Sequence, residues 1–262
     1  MDEFGPVRGA LIDVDGVLHV DDVPVPGAPE ALQQLQERGL AYTLLTNTTM
    51  RTRAALADKL NEIGFDVTAG EIITAAAATA EFVRREFPNH PAHLLVSGDT
   101  RDEFDGITLT DDEDEALVVV IGGAGPEFTF EAINRVYRML RNGAALIAMH
   151  KSVSWMTSSG ITVDSGIYVH GLEWAAGINA IVIGKPSIPF FQAGYQALDL
   201  PPEETVMISD SNRQDVRPAM ALGSRGVLVR TGVFEESDLD AGRPHAVLDS
   251  FADVCDWLDQ FE

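Results

Sequence analysis

VRGALIDVDG, residues 7–16, is the stretch on which the reading of this chain turns. An apolar run, Ala10, Leu11 and Ile12, ends in Asp13 and Asp15 with one residue between them, and Gly16 follows. A short apolar run of this kind has the pattern of a buried parallel strand. Alternation along such a strand puts Asp13 and Asp15 on the same side, and ligand sites in open α/β sheets lie at the carboxyl ends of strands. Two like charges therefore stand where a strand meets solvent, with nothing basic between them or just after them. They repel unless a cation or a shared proton relieves them. Taken alone, the same residues also fit an ordinary turn.

Outward from this strand the pattern alternates. Residues 17–27 are broken by Pro and Asp and read as a hairpin or flap. Helical spacing over 28–38 is stopped by Gly39, a strand over 40–45 ends in Thr46-Asn47-Thr48-Thr49, and a helix over 51–63 is closed by Gly64. From about residue 73 the domain changes, although the alternation continues. Helices are predicted over 75–87, 129–140 and 166–176, and strands over 93–96, 117–121 and 144–149. The Ser- and Thr-rich stretch 151–164 reads as a loop or the edge of a lid. A strand over 180–183 leads into Gly184-Lys185-Pro186. After a helix over 188–198, a strand over 205–208 ends in Ser209-Asp210. A helix over 213–221, strands over 226–229 and 246–248, and a helix over 251–261 complete the chain. Strand and helix in alternation predict an α/β fold built on a parallel sheet.

Composition narrows the function. The formal net charge is -23, which argues against nucleic acid and anionic membranes as partners. It does not argue against a small phosphate ligand, which responds to its local site. Of the basic residues only three are lysines, Lys59, Lys151 and Lys185. Acid excess with little lysine fits a protein kept soluble in high salt, and it fits equally a GC-rich genome. No apolar run reaches the length of a membrane span. Residues 1–9 have neither a basic nor an apolar leader segment, and the single cysteine, Cys255, suits a reducing cytoplasm. Cys255 lies beside the apolar stripe of the last helix and reads as a packed thiol.

Four strand ends carry polar groups able to converge: Asp13/Asp15, Thr46/Asn47, Lys185 and Asp210/Asp215. Singly, each has a plain reading. Thr46 to Thr49 can cap the following helix, Lys185 can be a surface loop residue, and Asp210 and Asp215 can be a cap and a helix-surface charge. Together they supply a carboxylate nucleophile, a second carboxylate for proton transfer, phosphate donors, one ammonium and an acidic group for a hard cation.

As an ordered set, DVDGVL at Asp13, LLTN ending at Asn47, GKPS at Lys185 and ISDSNRQDV at 208–216 resemble the four motifs of the haloacid dehalogenase superfamily of phosphatases. The gap of roughly a hundred residues between the second and third motifs resembles the class IIA, NagD-like branch, in which an α/β cap is inserted there. The resemblance implies a Rossmann-like core over 1–72 and 178–262, with a cap over 73–177. It implies an Mg2+-dependent hydrolase acting on a small phosphorylated metabolite. Asp13 would attack phosphorus, and Asp15 would protonate the leaving oxygen and then activate water. Thr46, the Asn47 backbone N–H and Lys185 would hold the phosphoryl group. Asp13, the Asp15 carbonyl and Asp210 would ligate the metal, with Asp215 orienting its waters. A homodimer through the cap is a further implication. Ser209 departs from the pattern, since family members often have Gly before the metal-binding Asp.

His150 and Lys151 end a cap strand and are read either as substrate contacts or as plain loop residues. Gly122-Gly123-Ala124-Gly125 lacks the third glycine of a dinucleotide fingerprint and reads as a tight strand–helix turn. A phosphomutase of the same fold, and a non-catalytic phosphate-binding or signalling protein, are the alternative functions.

Overall fold

Gly9–Asp13 is buried along its whole length in the computed structural model and sits inside a six-stranded sheet. The order across that sheet is Ala246–Leu248, Arg225–Val229, Thr205–Ser209, Gly9–Asp13, Ala41–Thr46 and Ile72–Thr74. Gly9–Asp13 runs parallel to both neighbours, with Ile12 opposite Ile208 on one side and Leu44 on the other. Strands buried on both faces need apolar runs rather than alternation. Ala10, Leu11 and Ile12, with Val206, Met207 and Ile208, meet that need and are fully buried. The helix Ala28–Glu37 covers one face through Ala28, Ala31, Leu32 and Leu35, which recur at helical spacing. The C-terminal Phe251, Val254 and Leu258 join the same core, and Cys255 is buried there with its Sγ 3.7 Å from the Ala31 carbonyl. The structure describes residues 6–157 and 160–261, so most of the stretch read for a leader lies outside the described residues. No described helix is long and apolar enough to cross a membrane.

The chain divides into two compact units. The first comprises Met1–Thr46, Arg53–Ile73 and Lys185–Glu262, and the second Asn47–Thr52 and Thr74–Gly184. The second unit has its own four-stranded parallel sheet, in the order Ile181–Val182, Ala145–Ala148, Val118–Gly122 and Ala92–Val96. Helices Ala75–Glu86 and Phe130–Arg141 each begin at a threonine whose hydroxyl accepts a first-turn amide, Thr74 from Ala77 and Thr129 from Ala132.

These units correct the expected boundaries in two places. The expected bounds put the strand over 180–183 in the core, but Ile181–Val182 pairs with Ala145–Ala148 and the second unit runs to Gly184. Pattern alone marks a strand and not which sheet it joins. Residues 47–52 also belong to the second unit. Thr52 donates its amide to Asp99 Oδ1 at 2.9 Å, and Gly98, at φ +70°, lets the Met50 carbonyl approach so closely that a Cβ there would lie 2.1 Å from it.

Smaller differences follow local chemistry. Residues 17–27 do form a hairpin, His19–Val20 with Val23–Pro24, turned through Asp21 and Asp22 at φ 49° and 63°. The stretch expected as a loop over 151–164 contains an antiparallel pair, Ser154–Thr157 with Gly160–Val163. The helix expected over 213–221 is a wide π turn, Asn212–Val216, followed by Arg217–Ala221. Pro218 has no amide to donate and its ring crowds the carbonyl four residues back, which opens the turn.

Candidate active site

At the carboxyl edge of the six-stranded sheet, Asp13 ends its strand with both carboxylate oxygens engaged. Oδ1 accepts from the Val14 amide at 2.8 Å and from Lys185 Nζ at 2.7 Å, and Oδ2 accepts from Ser209 Oγ at 2.9 Å. Lys185 Nζ also lies 2.8 Å from Asp215 Oδ1. Thr46, last residue of the adjacent strand, donates its hydroxyl to Asp15 Oδ2 at 3.1 Å. Asp15 is exposed, while Asp13, Lys185, Asp210 and Asp215 are buried. Five of the expected residues of this unit thus fall into two hydrogen-bonded groups, Asp13–Lys185–Asp215 and Thr46–Asp15, and Asp210 follows Ser209 at the end of the next strand.

Asp210 is held by elements that motif reading passed over. Its Oδ2 accepts the Val233 amide at 2.8 Å and lies between Gly16 and Gly232. Any Cβ at Gly16 would fall 1.9 Å from that oxygen, and at Gly232 1.8 Å, and both residues have positive φ, +80° and +62°. The Thr231 hydroxyl donates to the Gly16 carbonyl and ties the two loops together. Thr231-Gly232-Val233 follows the strand Arg225–Val229, so the rule that sites collect at strand carboxyl ends could have found it. His19 is also close, with Nε2 3.9 Å from Asp15 Oδ1.

The electrostatics are unbalanced. Three buried carboxylates face one buried ammonium. Burial pushes the Asp13 carboxyl up against the pull of Lys185. Asp210 is pushed up to about 7, first by burial and then by the charge of Asp13. Asp215 is also pushed up to about 7 by burial, against the attraction of Lys185. Burial works against the Lys185 charge as well, but Asp13 and Asp215 outweigh it and raise the pKa of the ammonium. Such shifts gather where charge has been concentrated for chemistry.

The donor set fits a magnesium ion. Among the described residues no group of three His, Cys, Asp or Glu side chains could hold a metal by itself. Magnesium does not require one, because it keeps several waters and takes one or two carboxylates. Asp13 and Asp210 with the Asp15 carbonyl would be such a set. The surplus of buried negative charge favours a hard cation, and the two glycines let Asp210 Oδ2 lie between their loops.

Asn47, His150 and Lys151 belong to the second unit. There Asn47 Oδ1 lies against Gly184, where a Cβ would come within 2.6 Å of it. His150 is buried with Nε2 3.7 Å from Asp164 Oδ2, and its Nδ1 accepts the Ser152 amide at 3.2 Å. Lys151 donates to Glu173 Oε2 at 2.7 Å, and Glu173 Oε1 accepts the Ala180 amide at 2.7 Å. The Gly122–Gly125 turn packs on Ser97, whose Oγ accepts the Gly125 amide and donates to Glu127, each at 2.8 Å. It is a tight strand–helix connection.

Residues 10–132 match the haloacid dehalogenase-like hydrolase family, and residues 182–254 match a second, HAD-hydrolase-like family. Haloacid dehalogenase-like hydrolase domain-containing protein 2 of Bos taurus is 35% identical over 254 residues, covering 96% of each chain. Phospholysine phosphohistidine inorganic pyrophosphate phosphatase of Bos taurus is 35% identical over 253 residues, covering 94% of this chain and 91% of that one. Among solved structures, p-nitrophenyl phosphatase from Archaeoglobus fulgidus superposes with a TM-score of 0.90 at 28% identity, covering 96% of this chain and 99% of the other. NagD from E. coli K-12 gives 0.87 at 29% identity, covering 94% and 98%.

Proposed function

This chain belongs to the haloacid dehalogenase-like hydrolase family, and from that premise we propose that it is a magnesium-dependent phosphatase working through an aspartyl-phosphate. The observation that carries the reading is Lys185, buried between Asp13 at 2.7 Å and Asp215 at 2.8 Å where the Asp13 strand ends. A buried ammonium there lets an anionic nucleophile meet an anionic phosphate. Solved phosphatases of matching fold and relatives that include a named phosphatase support it.

In this reading an Asp13 oxygen forms a bond to phosphorus while the bond to the leaving oxygen breaks. Asp15 gives that oxygen its proton. Asp15 then takes a proton from water, which attacks phosphorus and frees Asp13. One carboxyl group serves both halves because the first half leaves it as the base that the second needs. Thr46, already donating to Asp15, and the Asn47 amide would bind phosphoryl oxygens. Lys185 would neutralise charge between nucleophile and phosphate. A magnesium ion held by Asp13, the Asp15 carbonyl and Asp210, with Asp215 behind it, would supply further charge neutralisation. The substrate would be a small phosphorylated metabolite, and His150 and Lys151 are the cap residues proposed to meet it.

The test is hydrolysis of p-nitrophenyl phosphate by the purified chain. Turnover with magnesium and its loss in EDTA are expected. Acid quench during turnover of a labelled substrate should trap a covalent phosphoryl group on the chain to the extent that its breakdown is slower than its formation. Inactivity with every divalent cation across a panel of phosphorylated sugars, nucleotides, amino acids and pyrophosphate would overturn the proposal. Undiminished turnover in Asp13→Asn would remove Asp13 as nucleophile.

A further inference from the structure

Ser209 is fully buried at the end of the strand Thr205–Ser209 and makes two hydrogen bonds of opposite sense. Its Oγ accepts the Ser211 amide at 3.0 Å and donates to Asp13 Oδ2 at 2.9 Å. A hydroxyl has one proton and rotates to suit its surroundings. Here the Ser211 amide occupies a lone pair, so the proton is directed at the carboxylate. The opposite oxygen, Oδ1, is held by the Val14 amide and by Lys185. A carboxylate buried this deeply has few waters to replace a lost donor. Ser211 itself is fixed, because its own hydroxyl accepts the Gln214 amide at 3.3 Å at the start of the wide turn that carries Asp215.

We infer that Ser209 is a positioning residue for the nucleophile: its hydroxyl, aimed by the Ser211 amide, holds Asp13 Oδ2 so that the carboxylate cannot turn about its own side-chain bond between the Lys185 side and the open side of the site. The inference rests on the reading of Asp13 as nucleophile for its catalytic consequence, though not for its geometry. A preorganised donor contributes to the chemical step more than to substrate binding. Loss of a hydrogen bond to a charged group corresponds to roughly a tenfold to hundredfold change. Ser209→Ala is therefore expected to lower kcat for p-nitrophenyl phosphate by about tenfold or more, with KM within about twofold of the starting protein. Ser209→Thr keeps the hydroxyl and is expected to recover most of the lost kcat.

A second measurement does not depend on turnover. Amide hydrogen exchange followed by NMR should show the Ser211 and Val14 amides exchanging about tenfold faster in Ser209→Ala, with the amides of the strand Arg225–Val229 unchanged. Val14 reports the carboxylate from its far side, since its amide donates to Oδ1. If Ser209→Ala does not fold, Ser209→Cys, of similar size and with only a weak donor, takes its place in both measurements. An unchanged kcat, or a loss in kcat that Ser209→Thr does not recover, overturns the inference. So does unchanged exchange at Val14. Should the starting protein hydrolyse no phosphate ester, the phosphatase reading fails, and the exchange of Val14 still decides whether Ser209 holds the carboxylate.

Discussion

Both units are parallel α/β sheets with polar residues at the carboxyl ends of their strands, yet they treat those residues differently. In the second unit several such groups meet a partner that balances or satisfies them. Lys151 meets Glu173, His150 faces Asp164, and Ser97 bridges Glu127 and the Gly125 amide. In the first, Asp13, Asp210 and Asp215 are buried around the single ammonium of Lys185, with negative charge in excess. Burial of unmatched charge is costly and persists only where something else supports it. On the function proposed above, the unbalanced cluster of the first unit is where the chemistry would take place. Shared architecture alone could not have separated the two units.

The largest expected effect strikes the first unit at its nucleophile. Asp13→Asn keeps the size of the side chain and its acceptor toward Lys185 while removing the attacking charge. Activity should fall roughly 10^3-fold or more, with the thermal transition nearly unmoved. Turnover near that of the starting protein would break the assignment of chemistry to this edge. Lys185→Met comes next. It leaves three buried carboxylates with no counter-charge, and removal of one partner from a buried charge set costs about 3–5 kcal/mol. Urea denaturation should show that loss together with loss of activity. A stable and active variant would mean that the ammonium is not what balances this cluster.

Much of the first unit is legible in sequence because its decisive residues are local. Asp13 and Asp15 follow an apolar run, and Asp210 and Asp215 follow another, so period and strand ends together point to one edge of one sheet. What sequence does not disclose is nonlocal. That Ile181–Val182 joins the second sheet depends on its partner Ala145–Ala148, and nothing in the stretch itself says so. That residues 47–52 belong to the second unit depends on Gly98 and Asp99, almost fifty residues away. The cradle around Asp210 needs Gly16 and Gly232, whose separation in sequence hides their contact. Lys151 shows the same limit in the other direction. A scarce lysine at a strand end invites a ligand, but its ammonium is held by Glu173.

Lys151→Ala tests which of those two roles the side chain has. As a purely internal partner of Glu173 it should cost about 1 kcal/mol of stability, given its partial exposure, with KM for p-nitrophenyl phosphate unchanged. A KM raised severalfold at unchanged stability would instead make Lys151 the substrate contact proposed above.

The smallest expected effect lies wholly within the second unit and sharpens the contrast from its side. His93, in the strand Ala92–Val96, is buried, with Nδ1 3.2 Å from the Thr110 carbonyl and 3.0 Å from Asp111 Oδ1. Burial lowers its pKa below the ordinary 6.5; the Thr110 carbonyl and Asp111 oppose that shift, and Arg135 adds to it. Since the folded value lies below the unfolded one, protonation favours the unfolded chain. The stability linked to this histidine is fully present above about pH 6.5 and is lost as pH falls through the lower folded value. His93→Gln retains a donor toward Thr110 and cannot titrate. The change in urea midpoint from pH 7.5 to pH 5 should therefore be less negative, or more positive, in the variant than in the starting protein. A common background remains in both: burial also lowers the pKa of His150 despite Asp164, while the raised pKa values of Asp210 and Asp215 act in the opposite sense. Equal slopes in the two proteins would mean that the interior of the second unit accommodates a protonated His93, and that its neutral, matched character is less strict than the geometry implies.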